Sequence, residues 1–178
     1  MDPERATRVP EGAYQRGSIR NVTFENISAT DCYAYFKGRE MPCVIWGKPD
    51  TPIVGIEFKN VSIIARGGHP VTDADVLPVE NDERFPRHLG TIPAYAWYLR
   101  HVKDIRFTDC EFRFEKSDGR PAFVIDDAET IVLKNTTLPI GSECSSRIAV
   151  RSQTKDLTIR NCKGMADRIR QTAANQYF

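Results

Sequence analysis

The chain has 178 residues, 40% of them hydrophobic and 28% charged, which suits one globular domain around one core. Twenty-five Lys and Arg stand against twenty-four Asp and Glu, a net charge of +1, with no basic or acidic block to recruit nucleic acid or an anionic membrane surface. No apolar run approaches the roughly 20 residues that span a bilayer, and Met1-Asp-Pro-Glu-Arg5 is too polar to open a signal peptide.

Residues 1–18 are polar and carry no amphipathic pattern, so they are expected to be a polar N-terminal segment. The body, residues 19–163, is organised by a repeat. Five segments align without gaps, beginning at Asn21 (Asn-Val-Thr-Phe-Glu-Asn-Ile), Gly55 (Gly-Ile-Glu-Phe-Lys-Asn-Val), Asp104 (Asp-Ile-Arg-Phe-Thr-Asp-Cys), Thr130 (Thr-Ile-Val-Leu-Lys-Asn-Thr) and Asp156 (Asp-Leu-Thr-Ile-Arg-Asn-Cys). Apolar and polar residues alternate in each, the period of a half-buried strand, with Val22, Phe24 and Ile27 inward and Thr23 and Glu25 outward. The last two spacings are both 26 residues, and the longer earlier ones fit the same unit with inserted loops. A second apolar strand precedes the later repeats: Cys43-Val-Ile-Trp46, Tyr95-Ala-Trp-Tyr-Leu99, Ala122-Phe-Val-Ile125 and Arg147-Ile-Ala-Val150. Two short strands in about 26 residues predict one coil of a parallel β-helix, and the whole predicts an all-β solenoid of about five coils.

Each repeat strand ends on Asn or Asp: Asn26, Asn60, Asp109, Asn135 and Asn161. These residue types tolerate the left-handed backbone and bond to neighbouring polar groups, so stacked units predict a ladder. Asn21, Asn26, Asn60 and Asn135 also read as Asn-X-Ser/Thr sequons, but at three of these the ladder already explains the Asn. Cys110 and Cys162 follow the ladder residue and are expected to be buried free thiols. Cys32 and Cys43 could close a small loop in an oxidising compartment. No cysteine or histidine stands at metal-ligand spacing, so neither metal nor cofactor is expected.

Residues 64–93 interrupt the repeat with a Pro- and charge-rich insertion, the natural place for recognition. Met165, Ile169 and Ala173 fall at helical spacing, so residues 164–178 are expected to be a helical tail closing one end. No comparable cap is evident at the other end, which predicts exposed strand edges and core residues there.

From residue 18 to about 138 the chain resembles the C-terminal half of bacterial members of glycoside hydrolase family 28, the polygalacturonase-like enzymes. The resemblance rests on Phe85-Pro86-Arg87, then Leu89-Gly90 and Ile92-Pro-Ala-Tyr-Ala-Trp-Tyr-Leu-Arg-His-Val102, and on Gly119-Arg-Pro-Ala-Phe-Val-Ile-Asp-Asp127. It implies a right-handed, pectin-lyase-like β-helix and a parent activity that hydrolyses pectic polysaccharide with inversion, one carboxyl acting as acid and others activating water. It also implies a parent that is secreted or periplasmic. The family's catalytic motifs are not recognisable: Asn135-Thr-Thr137 lacks the aspartate, Gly67-Gly-His69 has the wrong order, and Arg147-Ile-Ala149 lacks the lysine.

Catalytic residues are therefore unassigned, and the candidates within the chain are Asp126 and Asp127, a pair that equally suits a solvated turn. His69, His88 and His101 read as surface or packing residues, since no nucleophile motif accompanies them. Uronate carboxylates call for guanidinium groups, which makes Arg66, Arg84, Arg87 and Arg100 candidates for substrate binding. Tyr95 joins them, because alternation over Tyr95, Trp97 and Tyr98 should turn at least one ring outward. The expected function is thus the C-terminal part of a pectin-degrading hydrolase that lacks the reacting aspartates, with a pectic or other acidic polysaccharide as partner. The alternative is a non-catalytic β-helix that binds acidic glycan, or that pairs with a second copy or a missing N-terminal half through its open end.

Overall fold

A computed structural model describes residues 17–30, 43–80, 89–152 and 154–178. The fold is all-β: among the described residues ten strands join one mixed sheet system, and the single helical element is the 3-10 turn Val71–Asp75. No described helix is long and apolar enough to cross a membrane.

The strands are β1 (Arg20–Ala29), β2 (Cys43–Trp46), β3 (Ile53–Gly67), β4 (Trp97–Thr108), β5 (Glu111–Lys116), β6 (Phe123–Lys134), β7 (Ile148–Val150), β8 (Thr154–Arg160), β9 (Arg168–Ala173) and β10 (Gln176–Tyr177). The five repeats occupy β1, β3, β4, β6 and β8, which pair in parallel in that order and in one register. Their fourth positions, Phe24, Phe58, Phe107, Leu133 and Ile159, stand opposite one another. Phe24 stacks on Phe58 at 5.0 Å and Phe58 on Phe107 at 4.7 Å, with rings within 8° of parallel. Side chains two residues apart share a face, so a constant register turns a repeated sequence into continuous apolar columns. Around these columns one core gathers Ile105, Ile131, Leu157, Phe112 and Phe123, all at most 1% exposed.

The repeat is bounded by corners. The sixth-position residues all hold positive φ, between 50° and 55°, as the ladder requires. Asn60 Nδ2 donates to Asn26 Oδ1 at 2.8 Å, Asn135 Nδ2 to Asp109 Oδ1 at 2.7 Å, and Asn161 Nδ2 to Asn135 Oδ1 at 2.8 Å. Every rung points from the later unit to the earlier one. Between Asp109 and Asn60 no rung forms among the described residues, because Asp109 carries no side-chain N–H. The repeat's first position is a second corner: Asn21, Gly55, Asp104, Thr130 and Asp156 all have φ between 52° and 70°. Thr130 is the costly member, since a β-branched residue is strained in the left-handed region. The seventh position turns back inward and is buried at Val61, Cys110, Thr136 and Cys162. Both cysteines are free thiols, and burial pushes each thiol's pKa up. Cys32 lies outside the described residues.

Two sequence expectations need correction. The C-terminal tail is not helical. β9 pairs antiparallel with β8 and β10 antiparallel with β7, which makes the sheet mixed. The helical spacing of Met165, Ile169 and Ala173 loses to the unpaired N–H and C=O groups of the last unit, which only a strand satisfies, and Ile169 stays 65% exposed. The insertion begins later than residue 64, because residues 62–67 extend β3 and pair with β5. Its described remainder is no free loop, since Leu89, Ile92 and Ala94 build a second, smaller core with Trp46, Tyr98, Val124 and Ala149 on the outer face of β2, β4, β6 and β7.

The N-terminal end differs from the rest. Ile19, Phe24 and Ile27 are 54%, 39% and 38% exposed, whereas Phe58 and Phe107, in the same column as Phe24, are 4% and 0%. An apolar cavity of about 470 Å3 opens here between β1, β2 and β3, with Phe24, Ile27, Ile45, Phe58 and Trp97 in its wall.

Candidate functional site

The residues singled out from sequence converge where β4 and β6 leave the small core. Arg100 stands opposite Asp126 and Trp46, and the next residues, His101 and Asp127, are both left-handed corners with φ of 51° and 53°. The turn lets two consecutive residues on each strand point to one outer edge instead of to opposite faces. Asp126, Asp127, Arg100 and His101 thereby share a site.

Every charge in it is partnered. His101 Nδ1 lies 2.6 Å from Asp127 Oδ2 and its Nε2 lies 3.1 Å from Glu80 Oε2, so the ring is held between two carboxylates. Glu80 Oε2 also accepts from Trp46 Nε1 at 3.3 Å and sits 3.3 Å from Arg100 Nε. Arg100 donates an Nη1 hydrogen to Pro78 O at 3.0 Å, lies 3.6 Å from Asp126 Oδ2, and covers the Trp46 ring at 5.1 Å. Tyr98 Oη donates to Asp126 Oδ2 at 3.2 Å. Burial, with Asp126 adding to it, holds the Tyr98 phenol far above its ordinary pKa, so it stays a neutral donor. The Asp127 backbone N–H is taken by Ser152 Oγ.

Chemically this is a latch. Inverting hydrolysis needs two carboxyl groups with room for water between them and oxygens facing the substrate. Asp126 is instead tied to Tyr98 and Arg100, while Asp127, its side chain 59% exposed, has one oxygen held by His101. The guanidinium of Arg100 is likewise spent on Glu80, Asp126 and a carbonyl, which leaves little of it for a uronate. A depression of about 250 Å3 opens beside the latch, lined by His101, Lys103, Asp127, Glu129 and Lys155. Its basic and acidic groups alternate across the units, Lys103 pairing with Glu129 at 3.1 Å.

The other candidates lie elsewhere. Tyr95 is 2% exposed and its hydroxyl donates to Pro139 O at 2.8 Å, so it is a packing residue with no face for substrate. Trp97 and Tyr98 are buried as well; Tyr98 does leave the repeat core as alternation predicts, but the insertion covers it. Arg66 is exposed on the part of β3 that pairs with β5, away from the latch. Arg84, Arg87 and His88 lie outside the described residues. His69, just ahead of the 3-10 turn, bonds Asp73 within it at 2.7 Å. No group of His, Cys, Asp and Glu arranged to hold a metal occurs among the described residues. Sequence reasoning missed Glu80, whose role depends on how the insertion folds back, and it missed the buried Asp118–Arg120 pair. That pair, bonded twice at 2.9 Å, carries Arg120 Nη1 to Ile92 O at 3.0 Å and pins the insertion to β6.

Comparison with protein-family models, with curated proteins and with solved structures finds no match to the chain.

Proposed function

We propose that the chain is the C-terminal part of a pectin-degrading glycoside hydrolase of the polygalacturonase-like kind, built as a right-handed parallel β-helix whose reacting carboxylates belong to units other than these. The observation that carries this reading is the meeting of the two stretches on which the resemblance rests. Residues 92–102 and 119–127 are neighbours in register, Trp97 opposite Phe123 and Arg100 opposite Asp126, with Arg120 tying one to the other. The in-register parallel strands support the β-helix. The partnered state of Asp126 and Asp127 supports a scaffold and binding role for this part rather than catalysis within it.

The test joins two measurements on the folded chain, calorimetric titration with digalacturonate and release of reducing ends from polygalacturonic acid and rhamnogalacturonan. Digalacturonate should bind and no reducing ends should appear. Release of reducing ends would overturn the placement of the reacting carboxylates outside these units, and absence of digalacturonate binding would overturn the pectic reading.

One observation favours a second reading, in which the chain is a non-catalytic β-helix that associates through its open end. The 470 Å3 apolar cavity and the edge of β1 that no described strand pairs leave Phe24 and Ile27 in water, a surface that invites pairing. Under this reading the mass in solution rises with concentration, and Phe24→Lys with Ile27→Lys abolishes the rise. A monomer at all concentrations overturns it.

A further inference from the structure

Beside β7, a groove of about 500 Å3 runs between the 3-10 turn and the C-terminal residues. One wall is the insertion, with Val71, Asp75 and Leu77; the opposite wall has Ser145, Asn175 and Tyr177. The insertion wall is fixed in place. Both Arg151 terminal nitrogens donate to carbonyls of that wall, Ala74 O and Val76 O. Gly119 lets the wall approach the floor, since a Cβ there would come within 2.3 Å of Val71 N. The Gly119 N–H also donates to His69 O at 2.8 Å. Yet the apolar groups at the rim stay in water: Tyr177 is 68%, Leu77 73% and Val71 44% exposed.

A preformed cleft with a wet aromatic ring and planar polar side chains around it matches a pyranose, which offers apolar C–H faces and a rim of hydroxyls. Asp75 and Asn175 supply a carboxylate and an amide for vicinal hydroxyls. The groove's one guanidinium, Arg151, is committed to carbonyls, while Asp75 meets an incoming ligand with negative charge. With one charge of each sign and the guanidinium turned to carbonyls, the groove gives a uronate no net attraction. Resting on the carbohydrate reading proposed above, we infer that this groove binds a neutral pyranoside, such as a hexose side chain of a pectic polymer, with Tyr177 as its platform and Asp75 as the group that excludes acidic sugars.

Calorimetric titration of the full chain with β-1,4-galactobiose and with digalacturonate tests this. Galactobiose should bind; Tyr177→Ala should weaken it about ten-fold while Tyr177→Phe retains it, since the ring and not the hydroxyl supplies the platform. Circular dichroism matching the parent confirms that each variant is folded. Asp75→Asn should make digalacturonate compete about three-fold or more better with galactobiose for the groove by removing the repulsion. Galactobiose binding that Tyr177→Ala leaves unchanged overturns the groove. Digalacturonate binding with no galactobiose binding also overturns the groove while the pectic reading stands, and binding of neither sugar overturns both.

Discussion

At one end of the stack β8 is closed by β9 and β7 by β10, while at the other end β1 offers the same repeat to water. Phe24 and Phe107 occupy equivalent positions, yet one is 39% exposed and the other 0%. The difference lies in the neighbours and not in the residues: a middle strand is covered by the repeats on both sides of it, whereas among the described residues β1 has such a neighbour at β3 alone, so it is apolar by sequence and wet by position. The tail solved this at one end with antiparallel strands that spend their backbone groups on the open edge.

The largest expected effect tests that contrast directly. Phe107→Ala should cost about 4 kcal/mol of unfolding free energy in urea and Phe24→Ala about 1 kcal/mol, because only the first leaves a cavity in packed surroundings. Equal losses would break the comparison. Thiol reactivity sharpens it in the reduced protein. Cys43 lines the open end, while Cys110 and Cys162 are 2% and 4% exposed, so an alkylating reagent should modify Cys43 at least about a hundred-fold faster in the native chain. Two smaller effects concern the corners. Asp109→Asn supplies the N–H missing from the Asp109–Asn60 rung and should stabilise by about 1 kcal/mol. Thr130→Asn relieves a β-branched residue at φ 56° and should also gain about 1 kcal/mol. The gentlest effect is on pH. Burial raises the Cys110 and Cys162 thiols above their ordinary 9.0, so the folded chain keeps protons that the unfolded chain releases. Stability is therefore full below pH 9 and falls above it, read as a lower urea midpoint at pH 10 than at pH 8, and a midpoint that rises would reverse the sign.

The repeat was legible because its period, its alternation and its Asn or Asp all come from neighbours in the chain. The second corner went unread, although Asn21, Gly55, Asp104 and Asp156 are turn formers at one alignment column, because Thr130 breaks the pattern. The tail was misread because Met165, Ile169 and Ala173 report a local period, whereas the open backbone of β7 and β8 that decides the matter lies elsewhere in the chain. At the site, the meeting of Arg100, Asp126 and Asp127 follows from adjacent units, but their mutual neutralisation does not. It depends on Glu80, brought back by an insertion whose path no periodicity describes.

The one-way rungs of the Asn ladder give the stack a grammar. A side-chain amide both gives and receives, so each Asn is a link that can be copied, while Asp109 can only receive. A duplicated 26-residue unit ending in Asn could therefore be spliced between β6 and β8 with both junctions complete, lengthening the protein by one strand spacing of about 4.8 Å. The same unit placed ahead of β4 would meet Asp109 and leave one junction silent. Length is thus adjustable on both sides of Asp109, and the silent junction always falls just ahead of it.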